Sequence, residues 1–160
     1  MHDRGMTRRD WLASLTQQVL VALSVGTVAA RRADAAPVAI TVYKDPSCGC
    51  CTKWVEHLRG AGLHPAVQDR TDMDALKDSL GVPRPLRSCH TAVAGRYVIE
   101  GHVPAADLKK LVARAPAGVV GLAVPGMPSG SPGMETSGRA DRYDVMAFRV
   151  DGSATTFSRY

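Results

Sequence analysis

The sequence predicts an α/β domain, and three observations predict it. An apolar, β-branched run, Val38-Ala39-Ile40-Thr41-Val42-Tyr43, leads through a tight Pro/Gly/Cys loop into the helical spacing of Trp54, Val55, Leu58 and Leu63. Short β-rich runs and amphipathic helical runs then alternate along the chain. Two of the β-rich runs meet at Ala94-Gly95, as the strands of an antiparallel hairpin do.

Taken in order, the first strand is followed by a helix from about Thr52 to Ala61, stopped at Gly62. Leu63 to Asp69 is a short second strand. Asp72 is the N-cap of a second helix, Met73 to Leu80, with Met73, Leu76 and Leu80 on its apolar face and Gly81 at its end. Val82-Pro83-Arg84-Pro85-Leu86 cannot be helix interior, because two prolines remove donors and clash with the preceding turn. The hairpin runs from Arg87 to Glu100, and a third helix spans Ala105 to Arg114 with Leu108, Leu111 and Val112 inward. The order β-α-β-α-β-β-α, with a two-cysteine loop capping the first helix, resembles the thioredoxin fold.

The tail changes character. Gly121 to Gly138 holds five glycines and three prolines in eighteen residues and reads as a long irregular Gly/Pro/Met loop. Tyr143 to Val150 alternates at period two, turns at Asp151-Gly152 and returns through Ala154 to Phe157 as a C-terminal β-hairpin. Met146 and Phe148 fall on its inward phase.

Residues 1–35 read as an export signal, and 36–160 as the working domain. Arg4, Arg8 and Arg9 form a basic start, Val19 to Ala30 is uncharged and mostly apolar, and Ala33-Asp34-Ala35 is a small-x-small cleavage signal. Thr7-Arg8-Arg9-Asp10-Trp11-Leu12 has the twin-arginine form. The apolar run is too short for a permanent membrane span. The segment is therefore expected to direct export. Removing this segment takes away five of 20 basic and three of 15 acidic residues, leaving 15 against 12. So small a charge, without a basic run, argues against nucleic acid as a partner.

Three of the four cysteines stand in Cys48-Gly49-Cys50-Cys51, at a helix N-terminus. The partial positive charge and open N–H groups there favour thiolate over thiol, so Cys48 and Cys51 are expected to be nucleophiles, metal ligands or both. Bridges between Cys50 and Cys51 or Cys48 and Cys50 would be strained, which leaves Cys48–Cys51 as the comfortable local pair. Cys50 and Cys89 are then paired with each other or held by a metal. Buried cysteines acting as small hydrophobes are common singly, but three clustered between Pro, Gly and Lys fit that reading poorly.

Two chemistries follow. In a thiol–disulfide exchanger, Cys48 attacks and Cys51 resolves. Thioredoxin-like exchangers place a proline with a cis peptide bond before the third strand, facing the C-x-x-C. Here that position is Ser88-Cys89-His90-Thr91. A thiolate and an imidazole there trap a metal more readily than they release a mixed disulfide. The metal reading is therefore preferred: Cys48, Cys50, Cys51 and Cys89 converge on a soft d10 ion, Cu(I) first and zinc second, since C-x-C-C crowds three ligands where zinc sites use wider spacing. His90, His102, Met127 and Met134 are further candidate ligands. A lone histidine is more often a surface or hydrogen-bonded residue, and the two methionines have the alternative of being incidental to a loop. His57 and His64 read as surface residues, Trp54 and Tyr97 as core, and Asp45 as a solvated loop carboxylate.

Four separated motifs occur in order: Tyr43 to Cys51, Ser88-Cys89-His90-Thr91, Glu100-Gly101-His102-Val103-Pro104 and Gly121 to Pro128. Together they resemble the bacterial family called domain of unknown function 411, which includes a periplasmic copper-resistance protein. The resemblance covers nearly all of residues 36–160. It implies a thioredoxin-like fold, export, and copper binding by Cys48, Cys50, Cys51 and Cys89, with weaker implication for His102 and the loop methionines. Copper ions are accordingly the expected partner, and a periplasmic copper carrier or exporter is a further expected one.

Overall fold

The structure, a computed structural model, describes residues 38–160; the expected export signal lies outside the described residues. Among these residues seven strands form one sheet in the order β2-β1-β3-β4-β5-β6-β7. They are β1 (Ile40–Lys44), β2 (Pro65–Asp69), β3 (Thr91–Ala94), β4 (Tyr97–Glu100), β5 (Val119–Ala123), β6 (Asp144–Arg149) and β7 (Ala154–Arg159). Among the described residues three α-helices, α1 (Gly49–Gly60), α2 (Met73–Ser79) and α3 (Ala105–Arg114), connect them, with a 3-10 turn at Arg84–Leu86.

Two parallel crossovers frame the sheet. β1 and β2 run parallel across α1, and β4 and β5 run parallel across α3. Between them, β3 lies antiparallel to both β1 and β4. The β3–β4 turn is the two residues Gly95-Arg96, with Ala94 opposite Tyr97. Gly95 takes φ +59°, which a side chain resists and glycine does not.

Each face of the sheet has its own apolar cluster. On one face Ile40, Val42, Ala92, Ala94, Tyr97, Ile99 and Leu122 meet Trp54, Val55 and Leu58 of α1 and Leu108 and Leu111 of α3. Trp54 is fully buried, and its indole N–H donates to the Val103 carbonyl at 2.8 Å, satisfying the one polar atom that burial would strand. On the other face Val82, Leu86, Val98, Ala123 and Phe148 pack together. The expected core positions Trp54 and Tyr97 are therefore core, and Met146 packs against the second cluster.

Two expectations change. α1 begins at Gly49 rather than Thr52, so Cys48 is its N-cap and Cys50 and Cys51 lie in its first turn. The stretch expected to be irregular from Gly121 onward is strand until Ala123. Gly121 is there because β5 is closely approached by its neighbours: a Cβ at this position would lie 2.1 Å from the Val98 carbonyl oxygen and 2.4 Å from the Phe148 ring. A glycine set by close approach inside a strand thus resembled a loop signal. Through β5 the C-terminal hairpin joins the main sheet as its sixth and seventh strands. Asp107 of α3, fully buried, accepts hydrogen bonds from Ser158 and Tyr160 and ties that hairpin down.

Among the described residues no helix is long and apolar enough to cross a membrane.

Candidate metal centre

Four loops meet at one end of the sheet. They leave the carboxyl ends of β1, β4 and β5 and enter the amino end of β3, which runs antiparallel between β1 and β4. Side chains from loops that gather at the ends of parallel strands converge without distorting the sheet. The β1 loop carries Cys48 and leads to Cys50 and Cys51, the β3 approach carries Cys89 and His90, the β4 exit carries His102, and the β5 exit carries Met127 and Met134.

The four cysteine sulfurs lie within 4.8 Å of one another. Cys48 and Cys51 are joined as a disulfide with Cα atoms 5.4 Å apart, while Cys50 and Cys89 are free. The comfortable local pair is thus the one formed, and the four-thiolate set belongs to the reduced protein. Cys50 Sγ sits 3.5 Å from Cys48 Sγ. Cys51 is fully buried, whereas the other three are half-exposed at the cluster's open side. α1 has no acidic residue in its first turn and no side-chain cap, so its N-terminal amides face the cluster uncompensated.

Cys89 also faces two imidazoles. Its sulfur lies 3.1 Å from His102 Nε2 and 3.3 Å from His90 Nδ1. His102 Nδ1 is 2.7 Å from the Pro132 carbonyl, an acceptor only, so the proton sits on Nδ1 and the Nε2 lone pair points at Cys89. Burial holds His102 below its ordinary pKa, with the Pro132 hydrogen bond and Glu135 pulling the other way. Burial, then the neighbouring His102 and Lys77, push His90 well below its ordinary value. Both rings are therefore neutral near pH 7, the form that donates to a metal. His90 lies 4.4 Å from the Trp54 ring and edge-on to His102, and its Nε2 has no partner among the described residues.

The Cys89 thiol is pushed up to about 12, first by burial and then by the adjacent Cys50. Two thiols crowded in a half-buried site resist becoming two thiolates. A cation among them would reverse that cost, with protons released as it enters.

The loop after β5 flanks the cluster at two points. Gly126 donates to the Arg87 carbonyl at 3.3 Å, and its own carbonyl accepts from the Ser88 hydroxyl. Met127, 54% exposed, follows directly beside Cys89's loop. Gly133 packs on the first turn of α1 so tightly that a Cβ would lie 2.9 Å from the Cys50 carbonyl, and half-buried Met134 follows it. Each methionine thus follows a glycine that contacts a cysteine-bearing segment. His57, expected at the surface, is half-buried, and its Nε2 accepts the Ala105 amide of α3 at 3.0 Å. His64 is exposed. Asp45 accepts the Ser47 amide at 2.8 Å and so shapes the cysteine loop.

The expectation drawn from the sequence omitted a supporting layer. Lys77 of α2 and Glu100 of β4 form a buried ion pair at 2.5 Å, and Glu100 also accepts the Ser88 amide at 2.6 Å and the Thr91 hydroxyl at 2.6 Å. The signal was present: Lys77 stands one residue after Leu76, within the apolar spacing of Met73, Leu76 and Leu80, where a solvated lysine does not belong.

Fold and site together define an α/β protein that gathers four sulfurs and an oriented imidazole at one end of its sheet, a donor set that fits a soft metal ion. The chain belongs to the family described as protein of unknown function, DUF411, whose pattern matches residues 86–134. Two solved structures, named copper resistance protein CopG in form 2 and form 1, are each 48% identical to it with a TM-score of 0.73, covering 78% of this chain and 98% of their own. No curated protein matches the sequence.

Proposed function

We propose that this is an exported, periplasmic protein of thioredoxin-like fold that binds copper through a thiolate cluster, sequestering Cu(I) or handling its redox state, and so contributes to copper resistance. The observation that carries the reading is the convergence of Cys48, Cys50, Cys51 and Cys89 within 4.8 Å. Clustered thiolates select soft d10 ions, and the imidazole of His102 adds a neutral donor at Cys89. Zinc is the second choice for the same donors. His90, Met127 and Met134 complete the candidate ligand set. The similarity to proteins named for copper resistance supports copper over other soft metals. The β-α-β unit followed by an antiparallel strand supports the thioredoxin-like assignment. The export signal read in residues 1–35 supports the periplasmic address, where a copper carrier or exporter would exchange the ion.

A second reading rests on the Cys48–Cys51 disulfide at the N-terminus of α1: a thiol–disulfide or metal oxidoreductase using that pair. The two readings diverge at Cys89. In an anaerobic Cu(I) titration of the reduced protein against a chromogenic chelator, the wild type is expected to withdraw copper and Cys89→Ser to do so far less well. Equal competition by both proteins removes Cys89 from the site and moves the weight to disulfide-reductase chemistry at Cys48 and Cys51.

A further inference from the structure

The segment carrying Cys89 and His90 precedes β3 and has little strand pairing of its own. Its backbone is held instead at Ser88, by the Glu100 carboxylate at 2.6 Å, and at His90, whose carbonyl accepts the Gly101 amide at 2.9 Å. Glu100 is in turn fixed by Lys77 at 2.5 Å and by Thr91, and the Lys77 ammonium also donates to the Thr91 hydroxyl at 2.9 Å. Lys77 is 3% exposed and Glu100 is fully buried. Taking two charges out of water is costly, and apolar residues of similar volume usually serve stability as well or better. Here the pair also holds the backbone amide of Ser88, the residue next to Cys89.

We infer that the buried Lys77–Glu100 pair is a positioning element of the cysteine site: through the Ser88 amide it sets the Cys89 sulfur against His102 and the other three cysteines. Lys77 and Glu100 touch no ligand; they act through the backbone.

The test pairs two double variants. Lys77→Met/Glu100→Leu removes both charges and the acceptor for Ser88. Lys77→Met/Glu100→Gln removes the charges but keeps a carbonyl oxygen for that amide. In the metal-free protein with Cys48–Cys51 oxidised, iodoacetamide labelling of Cys89, read by peptide mass spectrometry, is expected to be several-fold faster in the Met/Leu variant. The rate should return toward wild type in the Met/Gln variant. The copper arm rests on the function proposed above: Cu(I) affinity should fall at least about tenfold in Met/Leu, the scale on which outer-shell partners act, and recover in Met/Gln. If the wild type binds no copper, that reading fails while the labelling arm still decides the positioning role.

A folded Met/Leu protein labelled at the wild-type rate overturns the inference, as does a Met/Gln protein no better than Met/Leu. Should Met/Leu not fold, Ser88→Pro against Ser88→Ala carries the test, since the two differ in the amide donor. Arg87 already has the extended backbone that a following proline requires, φ −69° and ψ 147°. Faster labelling in Ser88→Pro than in Ser88→Ala supports the role, and equal rates contradict it.

Discussion

Lys77→Met alone is expected to cost about 3–5 kcal/mol of stability, because it leaves the Glu100 carboxylate buried without its cation. Chemical denaturation at pH 7 measures it. The pH dependence gives the cause. Burial raises the Glu100 pKa above its ordinary value, against the pull of Lys77, Thr91 and Ser88. An acid whose folded pKa is raised carries a penalty only when ionised: none below the unfolded pKa, the whole of it above the folded one. Removing Lys77 widens that gap. The deficit of Lys77→Met relative to wild type should therefore shrink as pH falls toward the ordinary carboxylate range, where Glu100 becomes neutral in both states. A deficit that does not change with pH would assign the loss to packing rather than to an unpaired charge.

Gly133→Ala is expected to damage the site and the fold together. Gly133 adopts φ +85°, where a side chain costs about 1–2 kcal/mol from the backbone alone. A Cβ there would also lie 2.8 Å from the Trp54 amide nitrogen and 2.9 Å from the Cys50 carbonyl, both helix backbone and neither able to yield. The loop must lift from α1. Pro132, the preceding residue, supplies the carbonyl that fixes the tautomer of His102. Loss of that partner should weaken Cu(I) retention by roughly ten- to a hundredfold. Denaturation and chelator competition read the two effects separately. Wild-type values in both would mean that the loop's seat on α1 is immaterial.

The cysteine loop was legible because its chemistry is local: β-branched run, cysteine cluster and helical spacing follow one another without a gap. The same holds for the β3–β4 hairpin and for α3, whose bounds at Ala105 and Arg114 are those expected. Cys89 and His102 were legible as residues, but their 3.1 Å approach depends on the order in which β1, β3 and β4 lie side by side. The strand β5 was hidden by Gly121, whose reasons are the Val98 carbonyl and the Phe148 ring, both distant from it in sequence. His57 looked like a surface residue because nothing near it in sequence needs an acceptor; the amide it serves is Ala105, in another helix. Glu100 closes a β-rich run like any strand-end carboxylate, and only its pairing with Lys77 across the sheet's second face marks it as structural. What the sequence conceals here is partners, whereas residue types and local periods are visible.

The central claim is that sulfur from both sides of the site, the β1 loop and the β3 approach, surrounds one copper centre. X-ray absorption at the copper edge, on protein reduced and loaded anaerobically with Cu(I), tests it most directly. The wild type should show a sulfur-dominated first shell, and Cys89→Ser should lose sulfur from it. A shell of nitrogen and oxygen in the wild type, or an unchanged sulfur count in Cys89→Ser, would contradict the account.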